Sequence, residues 1–182
     1  EAAFARLACG VDTSYSQRTE DTFAFVFEGI LTDGRKVTLA AEEHSNRARA
    51  AVGQAPLAPS DIPALLEDFL ERQRARWGFG RRVFIDSADQ ATLTECRKHK
   101  RQHGSLYDFV PAWKRLGVLD RIKLECGWLA HGRHLFVAED CGPLLDELER
   151  YSWEESGRPE DGNDHCINAE QYAWMAYLEE IG

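Results

Sequence analysis

The chain has 182 residues, a hydrophobic fraction of 43% and a formal net charge of −9. That length supports one domain, residues 1–182, with a real interior, and the lack of any apolar run near the length of a bilayer span excludes a membrane helix. An acidic chain does not adhere to nucleic acid through bulk charge, so any contact with DNA has to come from local clusters of Lys and Arg.

The opening Glu1-Ala2-Ala3-Phe4-Ala5-Arg6 has no Met and no basic region leading into a long apolar stretch. It does not read as a signal peptide, and a cut made inside a longer protein is expected. Five cysteines (Cys9, Cys96, Cys126, Cys141, Cys166) are scattered without a C-x-x-C pair. Reduced thiols in a cytosolic protein are therefore expected, and neither a disulfide framework nor a zinc knuckle is supported.

Leu7-Ala8-Cys9 is a short apolar run that Gly10-Val11-Asp12-Thr13-Ser14 closes with a carboxylate. After a polar loop come Thr22 to Phe27 and Lys36 to Ala40, two runs suited to a half-buried pleated surface, with Asp33-Gly34 between them as a hairpin signal. Three consecutive antiparallel strands are expected. Glu42 to Pro59 turns charged and then Ala- and Gly-rich, which reads as a short helix or a loop. Ser60-Asp61-Ile62-Pro63 starts a capped helix, Leu65, Leu66, Phe69 and Leu70 mark its apolar face, and Gly78 ends it.

From there helices and strands alternate: strand 82–85, helix 90–103, strand 107–111, helix 118–129, strand 135–137, helix 142–151. A Gly- and acid-rich loop, 154–163, leads into a last helix over 165–181. Alternation of this kind predicts parallel strands covered by helices. Together the order is that of an α/β, ribonuclease H-like mixed sheet: a three-strand antiparallel meander, then parallel strands flanked by helices.

Three acids hold corresponding places. Asp12 ends the first apolar run, Asp86 ends Val83-Phe84-Ile85, and Asp164 stands just ahead of the last helix. Each has an ordinary alternative: a turn or cap for Asp12, a cap of the helix at Gln90 for Asp86, a cap of the last helix for Asp164. Converging in space, they would suit two hard divalent cations, which prefer oxygen ligands and hydrolyse phosphodiesters as a pair. Asp89, Glu160 and Asp161 are candidates for a fourth ligand. Cations that would position DNA are Lys98, Lys100 and Arg101 in the run 97–101, the arginines Arg72, Arg74, Arg76, Arg81 and Arg82, and Lys114 at a strand end. Each cluster also reads as a solvated helix face. His131 and His134 flank Gly132-Arg133, which indicates a turn rather than a zinc site. The tryptophans Trp113, Trp128, Trp153 and Trp174 are expected in the core or at its rim.

Several motifs, in order, resemble the nuclease domain of the large terminase subunit of tailed bacteriophages and prophages. They are Gly10-Val11-Asp12-Thr13-Ser14, Phe84-Ile85-Asp86-Ser87-Ala88, Val110-Pro111-Ala112-Trp113-Lys114, Leu119-Asp120-Arg121-Ile122, the Leu144 to Trp153 pattern, and Gly162-Asn163-Asp164-His165-Cys166-Ile167-Asn168-Ala169 with Tyr172-Ala173. The resemblance implies an endonuclease that cuts concatemeric viral double-stranded DNA with Mg²⁺ or Mn²⁺ in the cytoplasm of a bacterial host. Asp12, Asp86 and Asp164 match its metal-binding acids, and His165 matches a frequent neighbour of the third. It further implies an ATPase domain, a small terminase subunit and a portal as partners. No P-loop occurs in this chain, in keeping with a nuclease domain from the C-terminal part of a longer subunit. One departure is Asn168, where many relatives carry Asp; a neutral amide supplies no charge to a metal. Two alternatives keep the fold: a junction resolvase or transposase-like nuclease, and a docking module of the packaging motor without turnover. A phosphorelay receiver fits less well, because it lacks the opening hairpin.

Overall fold

A computed structural model describes residues 3–13, 21–151 and 164–182. Three ten-residue strands, β1 (Phe4–Thr13), β2 (Thr22–Leu31) and β3 (Lys36–Ser45), form the antiparallel meander. Every residue of β2 is buried, which is why Phe23-Ala24-Phe25-Val26-Phe27 runs almost without polar interruption. The β2–β3 turn is closed at Asp33-Gly34, where Gly34 takes a φ of 79° that a side chain would resist. β4 (Arg82–Ile85) then pairs parallel with β1, β5 (Asp108–Pro111) parallel with β4, and β6 (His134–Phe136) parallel with β3. The resulting order is β5-β4-β1-β2-β3-β6.

The two sheet faces bury different things. On one, α2 (Ile62–Trp77) and α3 (Gln90–His103) cover Val11, Phe23, Phe25, Phe27, Val83 and Ile85. Phe25 lies against Phe69 with ring centroids 5.8 Å apart, and truncating such a buried ring to alanine costs about 3–5 kcal/mol. On the other, α4 (Val118–Ala130), α5 (Gly142–Arg150) and α6 (His165–Met175) cover Ala8, Ala24, Val26, Ile30 and Phe84. A Cβ on Gly10 would come within 1.7 Å of the Ala169 carbonyl oxygen. Glycine there lets α6 lie almost against the β1 backbone, and this close approach brings the start of α6 to the end of β1.

Two boundaries differ from expectation. β3 continues through Glu42-Glu43-His44 to Ser45 before the short α1 (Asn46–Ala51) begins. Strand alternation lets Glu42 and His44 share a side, where they bond at 2.7 Å and Arg72 of α2 reaches Glu42 at 2.8 Å. The last helix stops at Met175 rather than running to Ile181, and a 3₁₀ turn follows at Leu178–Glu180. That turn takes the chain end back to the hairpin, where the Gly182 amide donates to the Gly34 carbonyl. All five cysteines are free, and all but Cys126 are buried.

Candidate active site

β1 and β4 are neighbours, with Val11 opposite Ile85, so Asp12 and Asp86 occupy adjacent positions at one end of the sheet. The Asp86 amide donates to the Val11 carbonyl at 3.0 Å and fixes that register. Asp164 arrives from the N-cap position of α6. The chain thus gathers all three acids at one end, on the α6 side of the sheet, and Asp12 lies within electrostatic reach of both partners.

The helix caps these acids might have supplied are made by other residues, although Asp86 Oδ1 does accept from the Ala88 amide at 3.0 Å. Asp89, not Asp86, caps α3, accepting from the Thr92 amide at 2.9 Å and from the hydroxyls of Thr92 and Thr13. Asp164 makes no side-chain cap of α6. Glu147 reaches over from α5 instead and accepts from the amides of Cys166 and Ile167 at 3.0 and 2.9 Å. Asp12 sits inside a strand. A local cap at Asp89 serves α3, and a tertiary cap from Glu147 serves α6.

Asp12 is only 6% exposed. Burial raises its carboxyl above the usual range, His165 counteracts this, and Asp86 and Asp164 add to the rise. His165 Nδ1 lies 3.0 Å from Asp12 Oδ2. Burial alone would depress His165, but the bond to Asp12 and the charges of Asp12, Glu147 and Asp164 raise it above its ordinary value. The Tyr172 hydroxyl is held protonated chiefly by burial and by the nearby charges of Asp12 and Asp86. Lys114 completes the surround: its Nζ is 2.7 Å from Asp86 Oδ1 and 5.3 Å from the centre of the Tyr172 ring. Asn168 lies one turn beyond Asp164 on the same side of α6, and its amide donates to the Asp164 carbonyl.

The other predicted cations lie elsewhere. Lys98, Lys100 and Arg101 sit along α3, about 14 to 18 Å by helical rise from its cap at Asp89. Lys98 pairs with Glu95 and Lys100 with Asp108. Arg72, Arg74 and Arg81 are likewise paired with carboxylates, and Arg76 bonds Asp140 and Glu139. Trp128 and Trp174 are buried edge to face at 4.9 Å, whereas Trp113 is 56% exposed with Arg115 stacked 3.7 Å from its ring centre. Trp153, Glu160 and Asp161 fall outside the described residues.

No protein-family model and no curated protein matches the sequence. Solved structures do. The P22 large terminase nuclease domain is similar with a TM-score of 0.63 at 13% identity, covering 97% of this chain and 82% of that one. The human cytomegalovirus terminase nuclease domain, soaked with Mn, gives 0.59 at 10% identity, over 98% and 86%. The fold is that of the large-terminase nucleases. It is shared with the yeast mitochondrial Holliday junction resolvase, which gives 0.53 at 11% identity over 100% of this chain and 84% of that one.

Within this terminase-nuclease fold, the donor set at the acid end suits hard divalent cations. Three carboxylates converge beside Lys114 and His165, and burial, with a smaller push from Asp86 and Asp164, raises the Asp12 carboxyl. The acids are not oxygen against oxygen. Among the described residues, the groups whose ligand atoms all lie within 4.8 Å of one another are Glu28-His134-Glu170 and Glu43-Glu147-Cys166. A spread arrangement is what a pair of ions about 3.5–4 Å apart requires of its outer ligands.

The Glu28-His134-Glu170 group was invisible in the sequence, because its members, with Glu125 and Lys36, stand on five different elements. Lys36 is fully buried, and its ammonium fills the place of a cation: 3.3 Å from Glu28, 3.1 Å from Glu125 and from His134 Nε2, and bonded to Glu170. The indoles of Trp128 and Trp174 lie 5.6 and 6.0 Å from it. In the other group, both Glu147 oxygens already serve the α6 amides.

Proposed function

We propose that this chain is the nuclease domain of a large terminase subunit, an Mg²⁺- or Mn²⁺-dependent endodeoxyribonuclease that cuts concatemeric viral DNA during packaging. The observation that carries this reading is the convergence of Asp12, Asp86 and Asp164 at one sheet end, with the helix caps they might have supplied made by Asp89 and Glu147. The ATPase domain, small subunit and portal belong to the same proposal, as does the place of this chain in a longer subunit.

Asp12, Asp86 and Asp164 would hold the ions, which when bound supply a Lewis acid for the attacking water and another for the leaving oxygen. The remaining roles are read from the chain itself. His165 Nδ1 holds Asp12 Oδ2 at 3.0 Å and so orients its carboxylate. Lys114 neutralises Asp86 and is placed to meet a backbone phosphate as that charge is taken up elsewhere. Asn168 offers a carbonyl oxygen one turn from Asp164 without adding charge.

Supercoiled plasmid with MnCl₂ tests the reading. The protein should nick and then linearise it, EDTA should stop cleavage, and Asp12→Asn should be inactive while still binding DNA. Absence of nicking at high protein with either metal would sink the assignment. The resolvase fold is a second reading, favoured by its coverage of the whole chain. Preferential cutting of a four-way junction over linear duplex would select it.

A further inference from the structure

Beyond the acids, the β4–β5 edge of the sheet carries a second concavity, which side chains of α3 reach from the other face. Phe84 and Val110 stand opposite each other there and form the floor of a groove of about 550 Å³, walled by Arg82, Arg97, Lys100 and Asp108. Arg82 and Phe84 are alternate residues of β4, so they face the same way, and the next position in that alternation is Asp86. Groove and acid cluster thus share one strand, with Phe84, packed against Tyr177, between them. At about 3.3 Å per residue, Arg82 lies about 13 Å from Asp86 along the strand.

The charges of this groove are unevenly matched. Asp108 is shared by Arg81 at 2.7 Å and Lys100 at 2.6 Å, so the one acid is doubly neutralised. Among the described residues no carboxylate pairs with Arg82 or Arg97. Arg97 Nε donates only to the Phe109 carbonyl, at 3.3 Å, which anchors the side chain over the edge strand while its charge stays unmatched. In a chain of net charge −9, two unpaired arginines aligned with an acid cluster mark a local anion track.

We propose that this groove carries the DNA strand that leads away from the cleavage site, with Arg82 and Arg97 on its phosphates. The inference rests on the nuclease reading and adds the path of the substrate. Phosphates on one strand advance about 3.4 Å each along the duplex, so the span from Asp86 to Arg82 takes about four of them. The apolar floor excludes water beneath the strand without reading any base edge, so the contact is independent of sequence.

The test is fluorescence anisotropy with a short labelled duplex, across a salt series and without divalent metal, alongside plasmid cleavage with MnCl₂. Arg82→Glu and Arg97→Gln should each weaken binding by about 10-fold, and each should lower the slope of log affinity against log salt by about 1. In cleavage, the half-saturating DNA concentration should rise while turnover at saturation stays at the wild-type value. Arg35→Gln, at the far hairpin, serves as the matched loss of one exposed cation and should leave affinity and slope unchanged. Circular dichroism and the unfolding midpoint check that the variants fold. Wild-type affinity and slope in Arg82→Glu and Arg97→Gln, with active wild-type enzyme, would overturn the track and leave the nuclease reading standing. Poly-glutamate competing as well as DNA would overturn it too, by showing a general anion surface. A wild type that neither binds nor cuts DNA overturns both.

Discussion

At the acid end, Asp12, Asp86 and Asp164 meet with Lys114 and His165 at the margins. About 13 Å down the same sheet face, Glu28, Glu125 and Glu170 meet around Lys36. Both places collect three carboxylates, and what differs is where the counter-charge comes from. In the lower cluster the chain supplies it permanently, inside the cluster, with a fully buried ammonium and two indole rings beside it. At the upper cluster the chain's own cations bind from the sides, and the centre is left to be matched from outside. The two clusters thus differ in whether the fold places its own cation in the middle.

The comparison breaks most sharply at Lys36. Lys36→Met strands three buried carboxylates, and removing one partner from a buried ion network costs about 3–5 kcal/mol. The urea midpoint should fall accordingly, while an exposed control such as Arg35→Met changes little. Since Glu28, His134 and Glu170 hold ligand atoms within 4.8 Å of one another, added Mn²⁺ should restore part of the loss. A variant as stable as wild type would show that Lys36 is not what holds the lower cluster together.

At the acid end the sign reverses. Asp12→Asn removes a carboxylate whose ionisation is opposed by burial and by its two acidic neighbours. Stability should rise, by about 0.5–2 kcal/mol as is common when a strained functional group is relieved, while cleavage falls by about 100-fold or more. Loss of stability together with loss of cutting would mean that Asp12 is a structural acid like those around Lys36.

Gly10→Ala tests the geometry that joins the two. The added methyl would meet the Ala169 carbonyl, so α6 has to back away from β1, an overpacking that costs about 1–3 kcal/mol. Asp164 and His165 ride on that helix start, so cleavage should drop even where folding survives. Unchanged cleavage with lowered stability would separate the α6 packing from the acid cluster.

Much of this was readable beforehand, and the exceptions share one cause. The strand-ending positions of Asp12 and Asp86 and the helix-starting position of Asp164 follow from local pattern, and so does the hairpin at Asp33-Gly34. Which of two nearby acids caps a helix is not local: Glu147 caps α6 from another helix, and Asp89 outcompetes Asp86 by reaching the Thr92 amide. The cationic run 97–101 looked like one DNA-binding cluster, yet Lys98 and Lys100 find carboxylates on folding, and Arg97 turns toward the edge strand. The last helix seemed to run to Ile181 because nothing in 176–180 breaks it. Its end is set by tertiary contacts, with Tyr177 edge-on to Phe84 and Gly182 bonded to the hairpin. Lys36 and Glu28 flank a turn, where charged residues ordinarily face water, and no sequence pattern joins them to residues of α4, β6 and α6.

The finest test concerns protons in the lower cluster. Burial raises Glu28 to about 7 from 4.5, so its contribution to stability is full below pH 4.5 and is lost as pH rises toward 7. Burial, with Lys36 beside it, depresses His134 from 6.5 to about 4, so its contribution is full above pH 6.5 and is lost as pH falls toward 4. Between pH 4.5 and 6.5 the folded state holds one extra proton on Glu28 and one fewer on His134, and the two slopes oppose each other. Removing one group unmasks the other. Relative to wild type, Glu28→Gln should gain stability as pH rises through that window, and His134→Gln should lose it, each by at most about 1.4 kcal/mol per pH unit. Denaturant midpoints for the three proteins across the window decide the matter. Slopes of the same sign in both variants would show that the proton on Glu28 and the missing one on His134 are not the balance that lets three acids and one lysine share a dry interior.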